Sequence, residues 1–194
     1  MAHTILDGQG TGRQAGVNLG NELKVHSTTL DMQNVSVLEG TAFVAYLKRN
    51  IGTGGGGNEV VGVITYDGDN RLYVSHIHCS SNGTASNIEG FFSPFTVAPT
   101  GGTALAAVNL NRSSGVTSDT TIITGATTIT MTEDDALEFF NARLSIGGTS
   151  SYNYQIDGAV ILEKGDSLAI LGSSDTTGDK LRVQVWWFES AGEG

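Results

Sequence analysis

An apolar-polar alternation of period two runs through the end of the chain. From Leu181 to Glu189, Leu181, Val183, Val185 and Trp187 share one face of an extended strand, and Arg182, Gln184, Trp186 and Phe188 share the other. That strand begins half-polar and ends aromatic on both faces. A lone domain rarely leaves such rings in water, so Trp186, Trp187 and Phe188 are expected at a subunit interface. Just before it, Ala159 to Leu171 is two apolar runs joined at Glu163-Lys-Gly-Asp166. Gly165 there is free to take the positive φ of a tight hairpin turn.

The same reading applies further up. Thr41 to Lys48 is strand-like, and Val60–Tyr66 and Leu72–His78 flank Asp67-Gly-Asp-Asn70 as a second expected hairpin. Ile88 to Val97 is a strand interrupted by Pro94. Thr121 to Met131 is rich in β-branched residues and broken at Gly125. Thr132 to Phe140 is the one helix-like stretch, with Thr132 placed to cap and acids in the first turn. Residues 1–35 differ, because Asp7 to Gly16 is polar, Gly-rich and without period. They read as an extended N-terminal arm, with one or two short strands between Val17 and Val37. The expectation is an all-β protein: a jelly-roll-like two-sheet β-sandwich over residues 36–194, preceded by that arm.

Composition supports this picture and narrows the partners. The 27 glycines, the two prolines and the abundant Thr and Ser favour strands and turns. A formal charge of −10 opposes binding to phosphate backbones, and Lys48-Arg49 is the one adjacent basic pair, so no nucleic-acid partner is expected. A single cysteine, Cys79, makes no internal disulfide. No window approaches 18 apolar residues and the N-terminus has no apolar signal core, so no membrane partner and synthesis in the cytoplasm are expected.

His76 and His78 point to one side of a strand as a zinc pair would, but Cys79 points away and no second cluster completes a site. Asp67-Gly-Asp-Asn70 has closely spaced oxygens, but it lacks the later acidic ligand of a calcium loop and reads as a β-turn. Glu133, Asp134, Asp135 and Glu138 read as a solvated run rather than paired catalytic carboxylates. No phosphate loop or nucleophile elbow occurs. No enzyme activity, metal or cofactor is expected.

Two stretches carry a resemblance. Pro99-Thr-Gly-Gly-Thr through Asn109-Leu-Asn-Arg to Gly115, followed by Leu162-Glu-Lys-Gly-Asp166 and Trp186-Trp-Phe-Glu189, is similar to virion proteins of tailed bacteriophages. The similarity covers roughly the second half of the chain and, more loosely, Asn18 to Val37. It implies a capsid decoration (cement) protein on the exterior of the virion. Such a protein is usually a homotrimer, bound to the major capsid protein and bracing the head against packaged DNA. On that reading the arm, with Ile5, Leu6, Arg13, Val17, Leu19 and Leu23, carries capsid or neighbour contacts. The rival readings are a carbohydrate- or receptor-binding module of a tail fibre or spike, and a polysaccharide lyase on a similar scaffold.

Overall fold

β-branched and aromatic residues dominate the alternating segments, and they fit a pleated surface buried on one side. In the computed structural model these segments become strands. The structure describes residues 4–6, 14–17, 23–24, 32–51, 59–82, 86–94, 99–126, 129, 137–144, 150–175 and 177–190. The chain divides into two units, Met1–Asp31 and Met32–Gly194. In the first, where the sequence reads only as an arm, β1 (Thr4–Leu6), β2 (Gln14–Val17) and β3 (Leu23–Lys24) form a small antiparallel sheet. Ile5 pairs with Ala15 and Val17 with Leu23 along its backbone, whereas Arg13 and Leu19 lie outside the described residues.

The second unit opens with α1 (Met32–Glu39), where a short strand was expected. There follow β4 (Ala42–Asn50), β5 (Glu59–Tyr66), β6 (Leu72–Ser81), β7 (Ser86–Pro94), β8 (Thr103–Leu105), β9 (Val108–Asn109) and β10 (Thr120–Thr124). The last four are β11 (Leu137–Leu144), β12 (Ser150–Leu162), β13 (Asp166–Ser174) and β14 (Lys180–Glu189). They make two antiparallel sheets, ordered β11-β7-β13-β5-β10-β8 and β12-β6-β14-β4-β9. Without the three short strands β8 to β10, each sheet has four long strands, and consecutive long strands change sheet at nearly every step. That is the eight-strand order of a jelly roll. The short strands extend both sheets beyond β5 and β4, along one side of the sandwich.

Two expected hairpins are corrected by this order. β5 and β6 belong to different sheets, as do β12 and β13, so Asp67–Asn70 and Glu163–Asp166 are corners between sheets. The turn chemistry itself holds: Gly165 has φ 92° and its amide donates to the Tyr66 carbonyl of the neighbouring corner. The helix expected over Thr132–Phe140 is also corrected. From Leu137 the chain is strand β11, paired to β7 with a register shift between Glu138 and Phe140.

The inner faces of the sheets make the core. Phe43, Leu47, Ile64, Ile77, Leu168 and Val185 are buried there. Trp187 is 2% exposed and stacks on Phe43 with centroids 6.1 Å apart. Cys79 lies in the same core, where burial pushes its thiol up to about 12.

Polar clasps close both ends. At one end Asp179 is 2% exposed, and its Oδ2 accepts from Ser81 Oγ at 2.7 Å and Ser86 Oγ at 2.5 Å. Its Oδ1 accepts from the Asn82 amide at 3.1 Å. Burial pushes this carboxyl upward, but bonds from Ser86, Ser81, Ser174 and the Asn82 amide outweigh it and hold the group below its ordinary range. Because Ser81 lies on β6 and Ser86 and Ser174 on β7 and β13, this one carboxylate ties the two sheets together. At the other end Glu189 accepts from Trp187 Nε1 at 3.1 Å and from Ser118 Oγ at 2.5 Å. That contact fixes the long β7–β11 connection to the final strand.

Candidate interaction surface

The register of the five-stranded sheet determines what its outer face presents. One row across it runs Val108, Val44, Trp186, His76 and Gln155. The next runs Tyr46, Gln184, His78 and Asn153, and a third Lys48, Arg182, Ser80 and Ser151. Towards the other end lie Ala42, Phe188, Tyr73 and Ile161. Ordinary strand alternation sets this face, with one adjustment. A register shift between Trp186 and Trp187 against β6 lets Trp186 meet His76 while Trp187 turns inward beside Val74.

Rings on this face pair across strands. His76 and Trp186 stack with centroids 4.1 Å apart and planes at 15°, and Tyr73 and Phe188 stack at 5.0 Å and 9°. The stacks make a firm, largely apolar ridge. Around it Tyr46 is 47% exposed and Val108 59% exposed. His78 Nδ1 and Asn153 Oδ1 share a hydrogen bond at 2.6 Å, which fixes the ring orientation.

The three rings expected at an interface therefore have different places. Trp187 lies in the core of its own sandwich and is closed to any partner. Phe188 is buried beneath its stack with Tyr73, and Trp186 is half-buried on the outer face. Alternation alone separates Trp187 from its neighbours, but the depth of Phe188 depends on Tyr73 from a strand distant in sequence.

The segment from Pro99 to Gly115 builds a second feature. Asn109 Nδ2 donates to the carbonyls of Gly40 at 2.7 Å and Val116 at 2.9 Å, and Asn111 Nδ2 donates to the Leu38 carbonyl at 3.1 Å. These amides satisfy carbonyls at the C-terminal end of α1, where the helix supplies no partners of its own. Gly40, at φ 77°, ends that helix. The Asn-Leu-Asn motif thus clasps the helix that follows the N-terminal unit.

The other candidates disperse. Among the described residues no group of three or more His, Cys, Asp or Glu is placed to hold a metal ion. Asp67 accepts from the Thr121 hydroxyl at 2.8 Å, and Asp69 pairs with Lys164 at 2.5 Å, as residues of a corner. Glu138 is exposed and bonds Asn141 at 3.0 Å; Glu133, Asp134 and Asp135 lie outside the described residues. Close to the Asp67 corner, the Tyr66 hydroxyl is buried, and burial, then Glu189 and Asp119, push it up to about 12 against the opposing effect of the Asn70 backbone.

A basic patch emerges that linear sequence did not reveal. β4 and β14 bring Lys48 opposite Arg182 and Arg49 opposite Leu181, with Lys180 one step further on. No helix among the described residues is long and apolar enough to cross a membrane. No family model matches the chain, and no curated protein matches it in sequence.

Proposed function

We propose that this chain is a non-enzymatic virion structural protein of the tailed-phage capsid decoration type. It acts as a homotrimer on the outer capsid surface, bridging neighbouring capsid subunits. Its work is mechanical: packaged DNA presses outward, and an added clamp raises the free energy of separating capsid subunits. The N-terminal unit and the outer face of the five-stranded sheet carry the contacts. Three copies attached together convert modest single contacts into firm attachment.

The observation that supports this reading most is the clasp on α1. The residues that resemble phage virion proteins are the ones that anchor the helix following the N-terminal unit. An attachment segment that bears load needs such a root. Removing residues 1–31 leaves the β-sandwich folded by circular dichroism and abolishes binding to DNA-filled heads in a sedimentation assay. Undiminished coating by the truncated chain would remove the N-terminal unit from the account.

A second reading, a carbohydrate-binding module of a tail fibre or spike, is favoured by one observation: amides (Gln184, Asn153) and an exposed ring (Tyr46) share a sheet face. Sugar stacking needs free ring faces. Trp186 and His76 each occupy one face of the other, which narrows the ring surface open to a sugar. A clear hit on a glycan array would decide for the second reading.

A further inference from the structure

Charge is unevenly placed along the sandwich. Lys48, Arg49, Lys180 and Arg182 gather where β4 ends and β14 begins, taking four of the ten basic residues of an acidic chain. Arg49 is held by Glu59 at 2.7 Å and donates to the Gly125 carbonyl at 3.2 Å. Among the described residues, Lys48, Lys180 and Arg182 carry no ion pair. Lys48 lies directly opposite Arg182, and like charges facing each other across a strand pair are destabilising unless an anion relieves them. Lys48 and Arg49 also line an open depression of about 320 Å³ with Asn50, Thr103 and Thr124.

The opposite end is acidic. Asp67 and Asp69 lie on the β5–β6 corner, Glu163 and Asp166 on the β12–β13 corner, with Asp119 alongside; the Asp67 amide bonds the Asp119 carbonyl at 2.8 Å. Arg71 and Lys164 pair with Glu163 and Asp69, and Asp67, Asp119 and Asp166 form no close ion pair among the described residues, although Lys164 also attracts Asp67 and Asp119. From Arg182 to Glu189, strand β14 spans roughly 23 Å, so one molecule cannot bring its own two ends together.

We propose that the basic corner of one copy receives the acidic corner loops of a second copy, making a head-to-tail contact between identical chains. This rests on the self-assembly in the proposed function and specifies its chemistry. The contact is heterologous: each copy offers a different surface to each neighbour, which closes into a ring when the rotation permits. Exposed ion pairs contribute little affinity one by one, so charge sets the orientation and the encounter rate while apolar neighbours such as Tyr46 supply area.

The test is sedimentation of the full chain at low and high salt. The wild type associates at low salt and weakens as salt rises. The double variant Lys48→Glu with Arg182→Glu, and separately Asp67→Lys with Asp69→Lys, each loses about tenfold or more in association constant, since both contact surfaces then bear one sign. Circular dichroism confirms that each remains folded. An equimolar mixture of the two variants regains association, because each then offers the charge the other lacks. Wild-type association indifferent to both variants overturns this inference and leaves self-assembly standing. A wild type that stays monomeric at every salt overturns both. Loss of association without recovery in the mixture, or tighter binding of the basic corner to duplex DNA than to the second copy, also overturns the head-to-tail contact.

Discussion

The two sheets turn different outer faces to their surroundings. On the six-stranded sheet Val63 and Ala169 are buried, packed with Val60, Leu171, Phe91 and Ile123 and covered by Ala126 and Ile129 from the segment after β10. On the five-stranded sheet Tyr46, Val108 and the Trp186–His76 stack stay at the surface. Both sheets belong to one jelly roll, and both place apolar residues outward. The difference is that, among the described residues, one face is covered by the chain's own segment after β10 and the other keeps exposed rings. An apolar face already sealed by its own chain contributes to stability, whereas one left open is available to a partner. The outer face of the five-stranded sheet is therefore the surface on which the proposed function depends.

Substitutions separate these roles, and the largest effect falls between the sheets. Trp187→Ala removes a ring stacked on Phe43 in the core and costs about 3–5 kcal/mol, read as a lower denaturant midpoint. Trp186→Ala, one residue away on the open face, costs about 1 kcal/mol or less in the same experiment and instead weakens binding to heads. Equal stability losses for both would mean that the open face is structural.

Overpacking ranks next. A methyl group at Gly90 would fall 2.1 Å from the Phe140 ring and 2.8 Å from Phe139, so Gly90→Ala costs about 1–3 kcal/mol. Its effect is confined to thermal and denaturant melts, because it lies on the inner side of the sheet whose outer face is sealed.

Asp179 gives a comparable loss with a pH signature. Asp179→Ala strands buried serine hydroxyls at the inter-sheet clasp and costs about 2 kcal/mol. Its carboxyl is held below its ordinary value of 3.8, so its contribution is complete above that value and fades as pH falls through the lower folded value. Wild type and Asp179→Ala should therefore differ in stability at neutral pH and converge in strong acid. A constant difference across that window would place the clasp's contribution elsewhere.

The smallest effect belongs to the α1 clasp. Asn111→Ala removes the hydrogen bond to the Leu38 carbonyl and the one accepted from the Ser113 amide, and costs about 1 kcal/mol. Faster amide exchange in α1, with the β14 amides unchanged, is the expected readout.

How much of this was legible in sequence varied with the kind of signal. β14 was read correctly because a strand with one side in a core must alternate, and Leu181, Val183, Val185 and Trp187 do so. The corners at Asp67–Asn70 and Glu163–Asp166 are legible as reversals but not as crossings between sheets. Asx and Gly residues specify a change of direction, not whether the next strand bonds to the last or stacks across from it. Helix α1 was missed because Val35-Ser-Val37 alternates as a strand would. Its end is fixed by Asn109 and Asn111, far along the chain, a signal no local window contains. The acids at Glu133 to Asp135, outside the described residues, suggest a helix start, but from Leu137 the chain pairs with β7. The basic corner was invisible for a similar reason, since only the β4–β14 register joins Lys48 to Arg182.

The most direct test of the account is co-sedimentation of the purified chain with DNA-filled phage heads, the partner proposed for it, comparing wild type with a Trp186→Ala, Tyr46→Ala double variant. Saturable binding of the wild type, and its loss in a variant that melts normally, is the predicted result. Failure of the wild type to bind heads, or undiminished binding by the variant, would contradict it.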